Sequence, residues 1–485
     1  MPSTLSSLAF LINRSIITLE KACSESKLPF PGFDEPFTPA SEAFRANPEA
    51  EEAAKVIAAA AHQLMMMVLP PSVALYTVVS GAHKSAALRV CLEANVTEIL
   101  REGGKEGMHV KEIAERTKVN HQKLARCLRY LATHHVYKEV SPDVFTNNRV
   151  SSMMDTGKAV DDLIARPEEK HENTPGLAAV ASHHLDEVYK AAGYLWESMS
   201  DPATAHSFES NETPFNLGFS VNTSFFETIA LPDPRWQLRQ RRFNVGMKGV
   251  TVLESADAVL KAFDWQSLPK DSVVVDVGGG IGSSSLILAK NLPDIKIVIQ
   301  DTPIVLTEGA TQFWARELPE ALASGRVSFQ VHDFFTPQPI KNASVFLLKQ
   351  IMHDWPDKYA IKILSQLRQA ARPDTRLIII ESAIPFACHD PSGDKGKGVI
   401  GAVPKEAPEP LLANYGVANE LTYTADVTML ILTNAQERTV KDMKELLHST
   451  GWQMTKIVRD HETGSFMQPV EAVPMVKIPV RDTAE

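Results

Sequence analysis

Residues 272–301 read SVVVDVGGGIGSSSLILAKNLPDIKIVIQD. A β-branched run, Val273-Val274-Val275, ends at Asp276, and Gly278, Gly279, Gly280 and Gly282 follow. Helix-spaced Leu286, Leu288, Ala289 and Leu292 lead to a second apolar run, 295–299, that closes on Asp301. Strand, glycine turn, helix, strand, acid is a nucleotide-binding βαβ unit. The alternation continues downstream. A helix is predicted at 304–316, a strand at 327–331, a strand at 345–348, a helix at 357–370 and a strand at 377–380. Strands alternating with helices imply a doubly wound, mostly parallel sheet with ligands off the strands' carboxyl ends. Asp276, Asp301, Asp333, Lys349 and Glu381 all stand at those ends.

A dinucleotide fingerprint requires a third glycine that lets helix and strand pack closely. Counting from Gly278 or Gly280, that position is Ser283 or Ser285, which opposes a nicotinamide dehydrogenase. What is present is D-x-G-x-G-x-G, suited to a ligand without pyrophosphate. Asp276 can meet a cationic amine, and Asp301 can accept both ribose hydroxyls. Adenosine joined to an amino acid is S-adenosylmethionine. A second constellation, KQIMHDW at 349–355, follows the next strand but two and sets His353 at the mouth of the site. A lone histidine is usually structural. Here Asp354 adjoins it, and Glu381 and Glu437 are expected at the same rim. A carboxylate on one imidazole nitrogen raises the basicity of the other.

The remaining sequence bounds the partners. At 485 residues, two or more domains are expected. The net charge of −10 argues against nucleic acid or anionic lipid as partner. The four cysteines are scattered, which fits a reducing, cytoplasmic compartment and opposes a zinc site. The N-terminus lacks the basic region of a signal peptide. Residues 64–82 carry no acid, but Pro70-Pro71 breaks them, so a pair of buried helices is expected and not a membrane span. Helices are expected at 5–25, 50–67, 86–100, 109–117 and 122–133, then strands at 136–139 and 144–147. The last four elements follow a winged-helix order. DNA binding is its functional reading, yet residues 84–149 hold only twelve Lys/Arg against eight Asp/Glu. Arg126 and Arg129 share a face without Asn, Gln or aromatic companions for base readout. Residues 160–236 read as mostly helical, 235–260 as helix, and 386–424, rich in Gly, Pro and Lys, as a long mobile loop. A last helix at 438–449 precedes a tail with Pro474 and Pro479.

From about residue 65 onward the chain resembles the plant caffeic-acid-type and fungal small-molecule O-methyltransferases. The resemblance lies in DVGGGIG, IQDTP, HDFF, LLKQIMHDWPD, LIIIES, ADVTML and NAQERT. It implies an α/β, Rossmann-like class I methyltransferase domain at 233–485. Before it would stand a mainly helical dimerisation domain at 61–232 containing the winged-helix-like unit, and an extension at 1–60. Gly278, Gly280, Asp301, Asp333, Phe334 and Lys349 resemble the S-adenosylmethionine-binding positions, joined by Asp276. His353 matches the catalytic base, and Glu381 and Glu437 the carboxylates that flank it. Phe243, Met247 and Met429 match acceptor-lining positions, with Asp354 beside them. The winged helix then serves a homodimer and not DNA.

The implied reaction is one-step methyl transfer to a phenolic hydroxyl, with S-adenosylhomocysteine as product and no metal. A phenol near pKa ~10 and an imidazole near ~6.5 leave proton transfer uphill by roughly 5 kcal/mol. The flanking carboxylates would reduce that gap. An inactive cofactor-binding regulator is the alternative from another class. The loop at 386–424 looks roughly two dozen residues longer than in the plant enzymes, so the acceptor's identity does not transfer.

Overall fold

A computed structural model describes residues 3–250, 257–306, 308–389, 398–459 and 466–476. The chain forms two compact units. One comprises Met1–Glu197, Pro214–Val221 and Phe226–Leu253; the other comprises Ser198–Thr213, Asn222–Phe225 and Glu254–Glu485. The helix expected to run into the second domain, Pro234–Val250, thus belongs to the first unit, where it packs on Leu177–His183. Glycine is the reason. A Cβ placed on Gly249 would lie 2.3 Å from the carbonyl carbon of Gly176, so the two segments approach to backbone contact. The extension at 1–60 does not stand apart either. Helix Thr4–Ser26 packs on Pro48–Val68 around Leu19, Ala22, Phe44 and Ala53.

In the first unit, strands β1 (Met108–His109), β2 (Tyr137–Ser141) and β3 (Val144–Asn147) pair antiparallel in the order β1-β3-β2. They accompany helices Val110–Thr117 and His121–Thr133 as a winged helix. Asn120 caps the second helix by accepting from Gln122 N and Lys123 N. The single helix expected at 86–100 is two, Gly81–Glu93 and Val96–Gly103, because Asn95 turns left-handed at φ +55°. Arg129 is engaged by Glu139 and Asp143 at 3.0 and 2.7 Å. Pro70 and Pro71 do break 64–82, but the second piece, Pro71–Val79, is not buried in this chain: Leu75, Tyr76, Val78 and Val79 are each about two-thirds exposed. Among the described residues, no helix is long and apolar enough to cross a membrane.

The second unit is built on a seven-stranded sheet. Its strands are β4 (Val273–Val277), β5 (Lys296–Asp301), β6 (Val327–Val331), β7 (Val345–Lys349), β8 (Arg376–Glu381), β9 (Trp452–Ile457) and β10 (Gln468–Pro474), in the order β6-β5-β4-β7-β8-β10-β9. The five strands expected from sequence are parallel, and β10 runs antiparallel between β8 and β9. The last two strands correct the expected tail. Pro469 stands opposite Ile380 inside β10, a position that proline's missing N–H argues against. Alternate residues feed two cores. Val275, Phe346, Leu348 and Leu377 face Leu364 and Leu367, whereas Val274, Leu347, Ile378 and Ile380 face Leu288 and Trp314. Burial on both faces is why the strands read as unbroken apolar runs. Each buried side chain of this size contributes about 1.5–3 kcal/mol. Strand order reverses beside β4, with β5 on one flank and β7 on the other, which opens a crevice off their carboxyl ends.

The loop expected to be mobile, 386–424, is described at 386–389 and 398–424 and is fastened near residue 400; residues 390–397 lie outside the described residues. Ile400 forms a parallel bridge to Lys456, giving and taking backbone bonds of 3.0 and 2.8 Å with Thr455 and Ile457. The Arg459 guanidinium donates to the carbonyls of Gly401 and Ala402 at 2.8 and 3.2 Å. The segment therefore caps the edge of β9, which would otherwise present unpaired backbone groups. Gly401, at φ +73°, has no room for a side chain, since a Cβ would lie 2.2 Å from the Ile457 carbonyl oxygen. Gly401→Val should release the segment and raise the rate of tryptic cleavage at Lys405 several-fold. An unchanged cleavage rate would show that the stitch does not hold the loop.

Candidate functional site

The glycine turn after β4 hangs from β5: Gly278 N and Gly279 N both donate to the Gln300 carbonyl, at 2.8 and 3.1 Å. Two glycines serve different needs. At Gly282 (φ +83°) a Cβ would lie 2.5 Å from Ile299 and 2.8 Å from the Trp314 indole nitrogen, so packing forbids it. At Gly280 (φ +61°) a Cβ would meet nothing within 4 Å. That side of the turn stays open, while the Gly280 N–H donates to Asp301 Oδ2 at 2.9 Å. Asp276 lies beneath the turn. Its Oδ2 accepts from Ser285 Oγ at 2.6 Å, and its carboxyl carbon would be 2.6 Å from a Cβ on Gly279. One of its oxygens thus braces the loop instead of standing open for an amine. Burial pushes its carboxyl up to about 6, opposed by the Ser285 hydrogen bond.

Asp333 shapes its own turn, accepting from Phe335 N at 2.9 Å and, through its carbonyl, from Thr336 Oγ1 at 2.6 Å. Phe334 lies over Gly278, 3.6 Å from where a Cβ would be, and packs edge-on against Phe335 and Trp355. Ile351 sits closer still, at 2.5 Å from that Cβ position. The glycine turn after β4 and the His353 turn after β7 therefore touch. Lys349, at the end of β7, favours the charged form of Asp276.

The His353 turn is held by its backbone. Gln350 adopts a left-handed φ of +56°, and residues Met352–Asp354 make one tight helical turn. Glu381 Oε1 accepts from the N–H groups of Ile351 and His353 at 3.1 Å each, and from that of Met352 between them. Arg438, 2% exposed, donates to the carbonyls of Met352 and Trp355 at 2.8 Å each. It also donates to Asp357 Oδ1 at 3.0 and 2.8 Å. Of the two carboxylates expected to flank the imidazole, Glu437 meets the ring, 2.8 Å from His353 Nδ1. Glu381 reaches the backbone. Glu437 is in turn fixed by its own N–H, which donates to Asp426 Oδ1 at 2.8 Å. Asp354 Oδ1 lies 3.7 Å from His353 Nε2.

With Nδ1 committed to Glu437, Nε2 is the nitrogen left for chemistry. Burial works against charge on His353, but Glu437 and Asp354 outweigh it and the imidazole is pushed up to about 10. Burial pushes Asp354 up to about 6 and Glu381 up to about 7, each opposed by His353.

Met429 rides on helix Glu420–Thr433, which packs against Met352–Asp354. Phe243 and Met247 belong to the first unit, where the Phe243 ring lies 5.4 Å from His183 and 6.2 Å from Phe226. Sequence reasoning missed Arg438, Ser285 and Trp314. Arg438 directly follows Glu437, and only tertiary contacts reveal that this arginine is buried. Among the described residues, no group of three or more His, Cys, Asp or Glu is arranged to hold a metal ion.

Residues 196–409 match the O-methyltransferase domain, and residues 76–156 match the O-methyltransferase dimerisation domain. The chain is 47% identical over 476 residues to 4-O-methyltransferase 1 of Phanerochaete chrysosporium, covering 98% of this chain and 100% of that one. An O-methyltransferase of Armillaria gallica is 41% identical, over 94% and 96% of the two chains. The structure of LepI in complex with S-adenosylmethionine has the same fold, with a TM-score of 0.65 at 18% identity over 88% and 95% of the chains. Near-complete alignment to a relative of almost half-identical sequence, over a class I methyltransferase sheet, makes this chain a member of the O-methyltransferase family and a methyltransferase enzyme.

Proposed function

We propose that the enzyme methylates a phenolic hydroxyl of a small aromatic acceptor, with His353 as general base. The observation that carries this reading is the buried His353–Glu437 pair, one contact away from a glycine turn with an open side. The family's methyl donor fits that turn, because Gly280 leaves room for a ligand where any side chain would intrude, and Asp301 stands at its rim. Gly278, Gly280, Asp301, Asp333, Phe334 and Lys349 would hold S-adenosylmethionine, with Asp276 supporting the turn from below. When bound, that cofactor supplies a methyl group activated by its sulfonium.

The chain's own task is to remove the acceptor's proton. Glu437 keeps the Nδ1 proton and stabilises the imidazolium, so Nε2 is a stronger base than a free imidazole. A ring pushed up to about 10 closes most of the ~3.5-unit mismatch between free imidazole and a phenol. Positioning supplies the rest. Met429 and Asp354 are assigned to the acceptor side; Phe243 and Met247 are assigned there by family resemblance alone. The name of the relative from Phanerochaete chrysosporium favours a hydroxyl at ring position 4. The proposal includes a homodimer through the N-terminal helical domain, supported by the dimerisation-domain match and the exposed apolar helix Pro71–Val79.

With 3,4-dihydroxybenzoate as acceptor, the 4-methoxy product is expected; exclusive 3-methoxy product would overturn the regiochemistry. His353→Ala should lower kcat by about 10²–10⁴-fold and leave S-adenosylhomocysteine affinity unchanged, and near-normal turnover would sink the base assignment. Activity should rise with pH through neutrality, because the ring must lose its proton to act. Glu437→Gln removes the charge that holds that proton, so its profile should inflect at lower pH; an unmoved inflection contradicts the pairing.

The two glycines separate fold from ligand. Gly282→Ala should lower the thermal midpoint. Gly280→Val should weaken S-adenosylhomocysteine tenfold or more in calorimetry, a loss larger than its change in thermal midpoint accounts for. Equal binding by Gly280→Val and wild type would move the cofactor elsewhere. Sedimentation should give twice the chain mass, reverting to one chain in the double variant Tyr76→Glu, Val79→Glu; a dimer that survives both charges would clear this helix of the role.

A further inference from the structure

We infer that Arg438 is a positioning residue for the reaction: its guanidinium fixes the carbonyl side of the His353 turn and so sets where Nε2 points. The inference rests on His353 being the base.

The two ends of the peptide groups around His353 are gripped by opposite charges. Glu381 takes the N–H groups of residues 351–353, and Arg438 takes the carbonyls of Met352 and Trp355. Met352 is held at both its N–H and its carbonyl. Gln350, immediately before, sits in the left-handed region, a conformation that persists in a non-glycine residue only where the surroundings over-determine it. Arg438 is also the next residue after Glu437. One dipeptide therefore contacts the ring through its first side chain and the backbone that carries the ring through its second. That dipeptide is itself anchored: Ile384 N donates to the Arg438 carbonyl at 3.0 Å, and Glu437 N donates to Asp426. The His353–Glu437 distance is thus set by a closed loop of contacts in which Arg438 is one link.

A general structural tie would look different. The anionic partner of Arg438 within salt-bridge range, Asp357, is 56% exposed, where an ion pair contributes little. Two further hydrogen bonds go to carbonyls of the His353 turn. A lysine keeps the charge but lacks the planar fork needed to reach two carbonyls and a carboxylate together.

The test is a mutant cycle of Arg438→Lys with His353→Ala, using labelled S-adenosylmethionine and 3,4-dihydroxybenzoate. Arg438→Lys should lower kcat roughly 10–100-fold, the size of loss expected for a misplaced base. S-adenosylhomocysteine affinity should stay within about two-fold, and the pH inflection should move down as the Glu437 contact loosens. In the His353→Ala background the same substitution should cost nothing more, because the group it positions is gone. Losses that multiply across the cycle, or a pH inflection that does not move, overturn the proposal while leaving the base assignment standing. Full turnover by His353→Ala alone overturns the base, and this proposal with it. If Arg438→Lys does not fold, Arg438→Gln decides, since it keeps planar N–H donors for the carbonyls and loses only the charged fork. It should give a smaller kcat loss, about 3–10-fold, with the same downward pH shift, and wild-type kcat and inflection there would count against the proposal.

Discussion

A single carboxylate, Glu381, accepts three successive backbone N–H groups from the turn that carries His353. Hydrogen bonds to a charged acceptor are about twice as strong as neutral ones, and they offset part of the cost of burying the group, whose carboxyl burial still pushes up to about 7. Glu381 is available at that point only because β8 ends there. β8 ends there because Ile378, Ile379 and Ile380 are locked into the two cores on either side of the sheet. Side-chain packing thus fixes the height of one carboxylate, and that carboxylate fixes a turn. The imidazole follows. The same turn leans on the glycine loop through Ile351, so the imidazole and the glycine turn share one set of strand ends.

The Glu437 contact has two effects that oppose each other. Raising the imidazole to about 10 would, for the phenolic acceptor proposed above, narrow the gap for proton transfer. It also favours the protonated resting ring, so that fewer rings are free to take up a proton at neutral pH. A weaker pair would be ready more often and less able to complete the transfer. Burial itself disfavours charge on the ring and moderates the effect of the carboxylates. For a base acting as proposed, the balance between them, more than the presence of a histidine, would decide how reactive an acceptor must be.

Most of the parallel sheet was legible because fully buried strands leave apolar runs ending in acids, and residues 273–301 do so twice. The placement of the candidate residues was legible where it follows from local motifs: Gly280, Asp301 and His353 stand where strand ends put them. It was less legible where one residue reaches across the fold. Nothing local distinguishes Glu381, which holds backbone, from Glu437, which holds the ring. Arg438 reads as an ordinary surface cation until its carbonyl partners are seen. β10 was hidden by Pro469, and the helix at 71–79 misled in the other direction, since apolar composition does not say whose surface will cover it. Around residues 400–402 the loop is tethered where mobility is expected, because Gly and Pro content reports local freedom and is silent about partners such as Arg459.

Those tethers change how the excursion between β8 and helix Glu420–Thr433 is best regarded. The entropy of closing a chain segment grows only with the logarithm of its length, so an excursion about seven times longer than an ordinary connection adds roughly 2 kcal/mol. The backbone bonds of Ile400 and the two from Arg459 are enough to offset that. Length in this part of the chain is therefore nearly neutral for folding. Drift in the excursion is absorbed between two fixed attachment points, leaving the strand ends that carry Glu381 and the helix that carries Asp426 and Met429 undisturbed.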